Sequence, residues 1–127
     1  MKKIKLLLLS LLLPAFPALA NPPKTGLCSW YGPGFEGKLM ANGQRFEASR
    51  GTCASWFYPL GTLLRVTNVS TGRYTTVMVT DRGPARHLVA DGRIIDLSTS
   101  AFSKISDLST GLITVQIDVV ALITKAK

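Results

Sequence analysis

Leu63-Leu64-Arg65-Val66-Thr67-Asn68, the turn Val69-Ser70-Thr71-Gly72-Arg73, and Tyr74-Thr75-Thr76-Val77-Met78-Val79-Thr80 together decide the fold class. Both flanking segments are rich in β-branched residues and partly alternate apolar with polar, the pattern of a half-buried strand and not of a helix. The glycine in the five-residue link allows the chain to reverse, so the two strands are predicted to pair antiparallel. Working outward, Leu112–Leu122 (LITVQIDVVAL) reads as a third strand. Elsewhere short apolar runs are broken by Gly, Pro, Asn and Ser, as expected of a compact all-β domain. A single helix is predicted over Ser98–Ile105 (STSAFSKI), where Ser98 can cap and Ala101, Phe102 and Ile105 share one face. It is short enough to sit on the end of a barrel.

The N-terminal segment has a different logic. Lysines at 2, 3 and 5 precede the apolar block Leu6–Leu13, and Ala18-Leu19-Ala20 precedes Asn21. A basic head, an apolar stretch too short to span a bilayer and small residues at a cleavage point form an export signal, predicted over 1–20. No cysteine lies directly behind the apolar block, so a lipid anchor is not expected, nor is stable membrane insertion after cleavage. Residues 21–26 (NPPKTG) read as an unstructured lead-in, 27–122 as one domain and 123–127 as a frayed tail.

Three of the 15 Lys and Arg residues lie in the leader, so 12 remain against 7 acidic residues and the net charge falls from +8 to +5. These charges are scattered singly, without a basic run or an aromatic-rich basic stripe, which argues against a nucleic-acid partner. An anionic or neutral wall polymer suits the compartment better, and a monomer is expected.

Cys28 and Cys53 are the only cysteines. In an exported chain an even count points to pairing, and one disulfide is expected, worth on the order of 3 kcal/mol for a loop of this length. The other possibilities are two free thiols or a metal pair, and the spacing matches no metal motif.

Four segments carry more special backbone positions and charge than a minimal barrel needs: Ser29–Lys38 (SWYGPGFEGK), Ala41–Gln44 (ANGQ), Thr80–Pro84 (TDRGP) and Arg93–Ser98 (RIIDLS). The first can present Trp30 and Tyr31 as flat faces for sugar rings, with Trp30 reading equally well as core. Asp81 stands at the exit of an apolar strand, where a general acid could be tuned, or where an Asp–Arg pair could simply pin the loop. Asp96, inside an apolar run, reads as a structural carboxylate satisfied by backbone N–H groups or an arginine. His87 has no nucleophile near it in sequence, which argues against a catalytic triad.

In this order, SWYGPGFEGK, ANG, LGT, VTN, TDRGP and RIIDLS closely resemble the rare lipoprotein A family of septal lytic transglycosylases, over about residues 28–120. The resemblance implies an all-β, six-stranded double-psi β-barrel with one or two short helices, related to expansins and barwin-like domains. It implies a lyase that cleaves peptidoglycan glycan strands between N-acetylmuramic acid and N-acetylglucosamine without water, leaving 1,6-anhydro ends, with no metal or organic cofactor. Asp81 occupies the position of the family's aspartate and is the expected acid/base. Tyr31, Asn42, Gln44, Ser55 and Arg82 are expected to line the groove. Gln44 replaces the acidic residue that normally follows ANG, and Ser55 replaces a histidine, so an acid–base pair of residues 44 and 81 is excluded. The alternative is a non-catalytic, expansin-like module that binds or loosens wall. A barrel serving only as a scaffold for protein inhibition is a third class.

Overall fold

The computed structural model describes residues 22–122, so the expected leader and the 123–127 tail lie outside the described residues. Six strands, β1 (Thr25–Trp30), β2 (Thr52–Ala54), β3 (Leu63–Asn68), β4 (Tyr74–Asp81), β5 (Arg93–Leu97) and β6 (Ile113–Ala121), close into a barrel in the order β1-β5-β2-β4-β3-β6. β1 begins inside the expected lead-in, because Thr25 and Gly26 pair with Gln116 and Val115 of β6. Two short helices, α1 (Arg86–Ala90) and α2 (Thr99–Ser103), flank β5, and a 3₁₀ turn spans Leu108–Thr110.

The β3–β4 hairpin forms as its sequence dictates. Its strands pair antiparallel from Leu63↔Met78 to Thr67↔Tyr74, and Gly72 takes up φ 78° in the turn. Inward residues alternate along both strands, placing Leu64, Val66, Val77 and Val79 in the core beside Val115 and Ile117 of β6. In α2, Ser98 caps Ala101 N, while Ala101 and Phe102, with Ile105 just beyond, close one end of the core.

The other half is wired nonlocally. β1 and β5 pair in parallel, as do β2 and β4, while β2 and β5 are antiparallel. Cys28 and Cys53 both lie fully buried, opposite Ile95 and Leu97. They are free thiols, not the expected disulfide. β5 runs between their two strands, so their Cα atoms are about two ~4.8 Å strand spacings apart, beyond the ~7 Å reach of a disulfide. Burial above all pushes both thiols well above their ordinary range, so each behaves as a small apolar core residue.

Candidate functional site

A one-residue irregularity in the β2–β4 ladder builds the site. Cys53 lies opposite Val79, but Ala54 lies opposite Asp81, so Thr80 is the extra residue. Under strict alternation Asp81 would share the core face of Val77 and Val79. The shift moves it onto the face of Ala54. Ala54 is in turn opposite Asp96 of β5, and Asp96 is opposite Ser29 of β1. Ser29, Asp96, Ala54 and Asp81 therefore form one lateral row across four strands, with the smallest side chain between the two carboxylates.

Asp96, Ala54 and Asp81 of that row floor a groove of about 300 Å³. Asp81 and Asp96 both line it; Trp30, Tyr31 and Phe35 form one wall, and the Arg82–Ala85 turn the other. Gly83 passes so close over the floor that a Cβ there would lie 3.3 Å from Ala54 Cβ. Any larger residue at 54 would fill the gap between the two acids.

Asp81 is held by three donors. Tyr31 Oη donates to Oδ2 at 2.8 Å, and the backbone N–H groups of Ala41 and Arg82 donate to Oδ1 at 2.9 Å each. Burial first, and the bond to Asp81 second, push the Tyr31 phenol well above its usual range, so it remains the donor. Its ring stacks on Phe46 at 4.2 Å and meets Phe35 edge-on at 5.2 Å, fixing the hydroxyl in place.

Asp96 sits in a different environment. It is half-buried, accepts a short hydrogen bond from Ser29 Oγ, and its carboxyl is raised above the ordinary value. Desolvation is the main cause and Asp81 adds to it, while the Ser29 bond and Arg93 act in the opposite direction. Expected as a structural carboxylate, it is hydrogen-bonded to Ser29 and also lines the groove. The apolar neighbours that suggested a structural role are also what tune it.

Not every residue expected in the groove reaches it. Ser55 is fully buried, donating to Ile94 O and accepting from Phe57 N, because it follows Ala54 and turns to the opposite face. Asn42 and Gln44 are exposed and bonded to each other through Asn42 Nδ2 to Gln44 Oε1 at 2.9 Å. Gln44 borders a separate polar hollow with Arg45 and Arg50. Their contribution to the site is indirect: Asn42 N donates to Thr80 O, which fixes the turn that delivers Ala41 N to Asp81. Arg82 borders the groove, but its guanidinium donates to the carbonyls of Ser55 and Tyr58 and braces the loop. His87 is exposed on α1.

Sequence reasoning missed Ala54, whose only signal is its size. It also missed Trp56, whose Nε1 donates to Pro84 O at 2.6 Å while Arg86 lies 4.5 Å over its ring, clamping the groove wall from outside.

Residues 23–117 match the lytic transglycolase family. The chain belongs to that family. Its similarity to the endolytic peptidoglycan transglycosylase RlpA of Campylobacter jejuni is 42% identity over 95 residues, covering 75% of this chain and 33% of the relative. The chain thus spans about a third of that relative's length. Among solved structures, an apo expansin of Clavibacter michiganensis superposes with a TM-score of 0.57 at 25% identity, covering 80% of this chain and 52% of the expansin. A Streptomyces papain inhibitor superposes at 0.55, also 25% identical, covering 76% of this chain and 98% of the inhibitor. This lytic transglycolase domain has the implied double-psi barrel with two short helices.

Proposed function

We propose that this domain is an endolytic transglycosylase that cleaves peptidoglycan glycan strands, with Asp96 and Asp81 dividing the proton transfers. The observation that carries the reading is the cross-strand row that sets two carboxylates, in unlike surroundings, on either side of Ala54 in one groove. Pairs of titratable groups driven apart by their environments are how acid and base roles are assigned on a single site.

Asp96, whose carboxyl burial raises above its ordinary value, gives its proton to the glycosidic oxygen as the bond to the muramyl anomeric carbon breaks. The primary hydroxyl of the same muramyl residue then bonds to that carbon, and its proton passes to Asp81. The products are one strand with a new free hydroxyl and one with an anhydro end. No water is consumed, and solvent returns the two carboxyls to their starting states. Tyr31, through its bond to Asp81, orients the accepting oxygen, and Ser29 does the same for Asp96. Family membership and the activity for which the C. jejuni relative is named support the substrate. The protein acts as a monomer outside the cytoplasmic membrane, where that polymer lies.

The test is incubation of purified protein with denuded glycan strands and mass spectrometry for anhydro-ended fragments. Wild type should release them and Asp81→Asn should not. If wild type releases no more than the variant, the domain only binds. That second reading is favoured by one observation: neither position 44 nor position 55 brings a titratable group to the groove.

A further inference from the structure

We infer that the groove continues past Gly32 into a second sugar subsite, so that at least two consecutive residues of a glycan strand are held on the Trp30 side of the cleavage point. The inference rests on the reading of the Asp81–Asp96 groove as a glycan site and adds where the rest of the strand lies.

Beside the first compartment is a second of about 360 Å³, and the two share Trp30 and Gly32 as walls. Each is close to the ~300 Å³ lower limit of small-ligand pockets, the scale of a single ring and not of an oligomer. The second is walled by Trp30, Pro33 and Phe46, with Glu36 and Thr99 supplying polar atoms. Flat apolar surface with a few polar groups suits a pyranose, which has apolar faces and a hydroxylated edge. Glu36 Oε1 already accepts Ala48 N at 3.0 Å, which fixes the carboxylate as a hydroxyl acceptor.

The wall between the compartments is rigid on one side and empty on the other. Trp30 is fixed by Nε1 donating to Leu108 O at 3.0 Å and by its ring contact with Phe102 at 6.4 Å. Opposite it, a Cβ added at Gly32 would meet no atom within 4 Å. Gly34 and Gly37 have positive φ (98° and 83°) and need to be glycine for backbone reasons, but Gly32 does not. Its missing side chain therefore has no conformational explanation; what it does is leave the passage open.

The test measures binding of N-acetylmuramic acid alone and of its disaccharide with N-acetylglucosamine by calorimetry. An Asp81→Asn background keeps the site from turning over. The disaccharide should bind at least about tenfold more tightly, a gain of ~1.4 kcal/mol. It alone should shift the amide signals of Ala48 and Thr99, which border only the second compartment. Ala48→Leu, at a position outside the first compartment, should erase the length advantage, leave monosaccharide affinity within about twofold and melt like its parent; Glu36→Gln, also outside the first compartment, gives a partial loss and carries the test if the leucine variant fails to fold. If the monosaccharide binds but there is no length advantage, or the advantage survives in the Ala48 and Glu36 variants, the second subsite is overturned and the groove reading stands. If neither sugar binds, the groove reading itself falls and takes the inference with it.

Discussion

The β3–β4–β6 wall and the β1–β5–β2 crossing bury comparable apolar side chains, yet only the crossing and the β4 edge that joins it hold the site. In the hairpin of the wall, neighbours in sequence are neighbours in space and alternation runs regularly, β6 joins β3 with a slip only at the Leu63/Leu64 end, and the buried Asn68 is satisfied by Ile105 O at 2.8 Å. In the crossing, parallel pairs unite residues far apart in the chain, and the ladder slips by one residue at Leu27/Cys28 and at Cys53/Ala54. The difference teaches where a small barrel can put charge. A regular ladder sends alternate residues into the core, and a slip releases one residue from that rule, which is how Asp81 reaches the groove face.

The sharpest way to break this comparison is to neutralise the two ends of the row. Asp81→Asn and Asp96→Asn should each lower the rate of anhydro-product formation by about 10²–10⁴-fold while the barrel stays folded by circular dichroism. Full activity in Asp96→Asn would return Asp96 to a structural role and leave a single-carboxylate site. The wall should respond in the opposite sense. Leu64→Ala, at a fully buried hairpin position, should cost about 2–5 kcal/mol in chemical denaturation with the rate per folded molecule unchanged.

A smaller effect separates the halves by pH. The Asp96 carboxyl is raised in the folded state above its unfolded value near 3.8, so between those two values the native protein holds the extra proton. Its contribution to stability is complete below the unfolded value and is lost as pH rises through the folded one. Denaturation measured across that window should show a decline that Asp96→Asn flattens. Ser29→Ala removes a bond that lowers the carboxyl, so it should move the basic limb of the pH–rate profile upward. The smallest effect concerns the thiols. Melting should be the same with and without reductant, and two thiols per chain should react only after unfolding. A reductant-sensitive melt, or unfolded protein without free thiols, would mean that Cys28 and Cys53 approach each other more closely than the intervening β5 allows.

Much of the wall was legible in the sequence because its information is local. β3 matches its expected limits, β4 runs one residue beyond Thr80, β6 falls within Leu112–Leu122, and Ser98 caps α2 as its position suggested. The site was legible only in part. Tyr31 and Asp81 stand in motifs with unusual backbone demands and emerged directly, and Asp81 with Tyr31 does face the groove. Asn42, Gln44 and Ser55 were placed there by the order of motifs, and it is their side-chain direction that differs. Ser55 turns inward one residue after Ala54, and Asn42 and Gln44 face out from a turn whose backbone does the work.

Sequence by itself determined the fold class, the hairpin, the helix face and the presence of an acid at a strand exit, because periodicity and turn chemistry act between residues a few positions apart. The tertiary structure alone decided that Asp96 shares a groove with Asp81, that Ala54 is the floor between them, and that Cys28 and Cys53 are kept apart. Each of those outcomes depends on which strands lie side by side and on single-residue slips in register, and a slip of one residue reverses the face a side chain points to without leaving a mark on the local pattern.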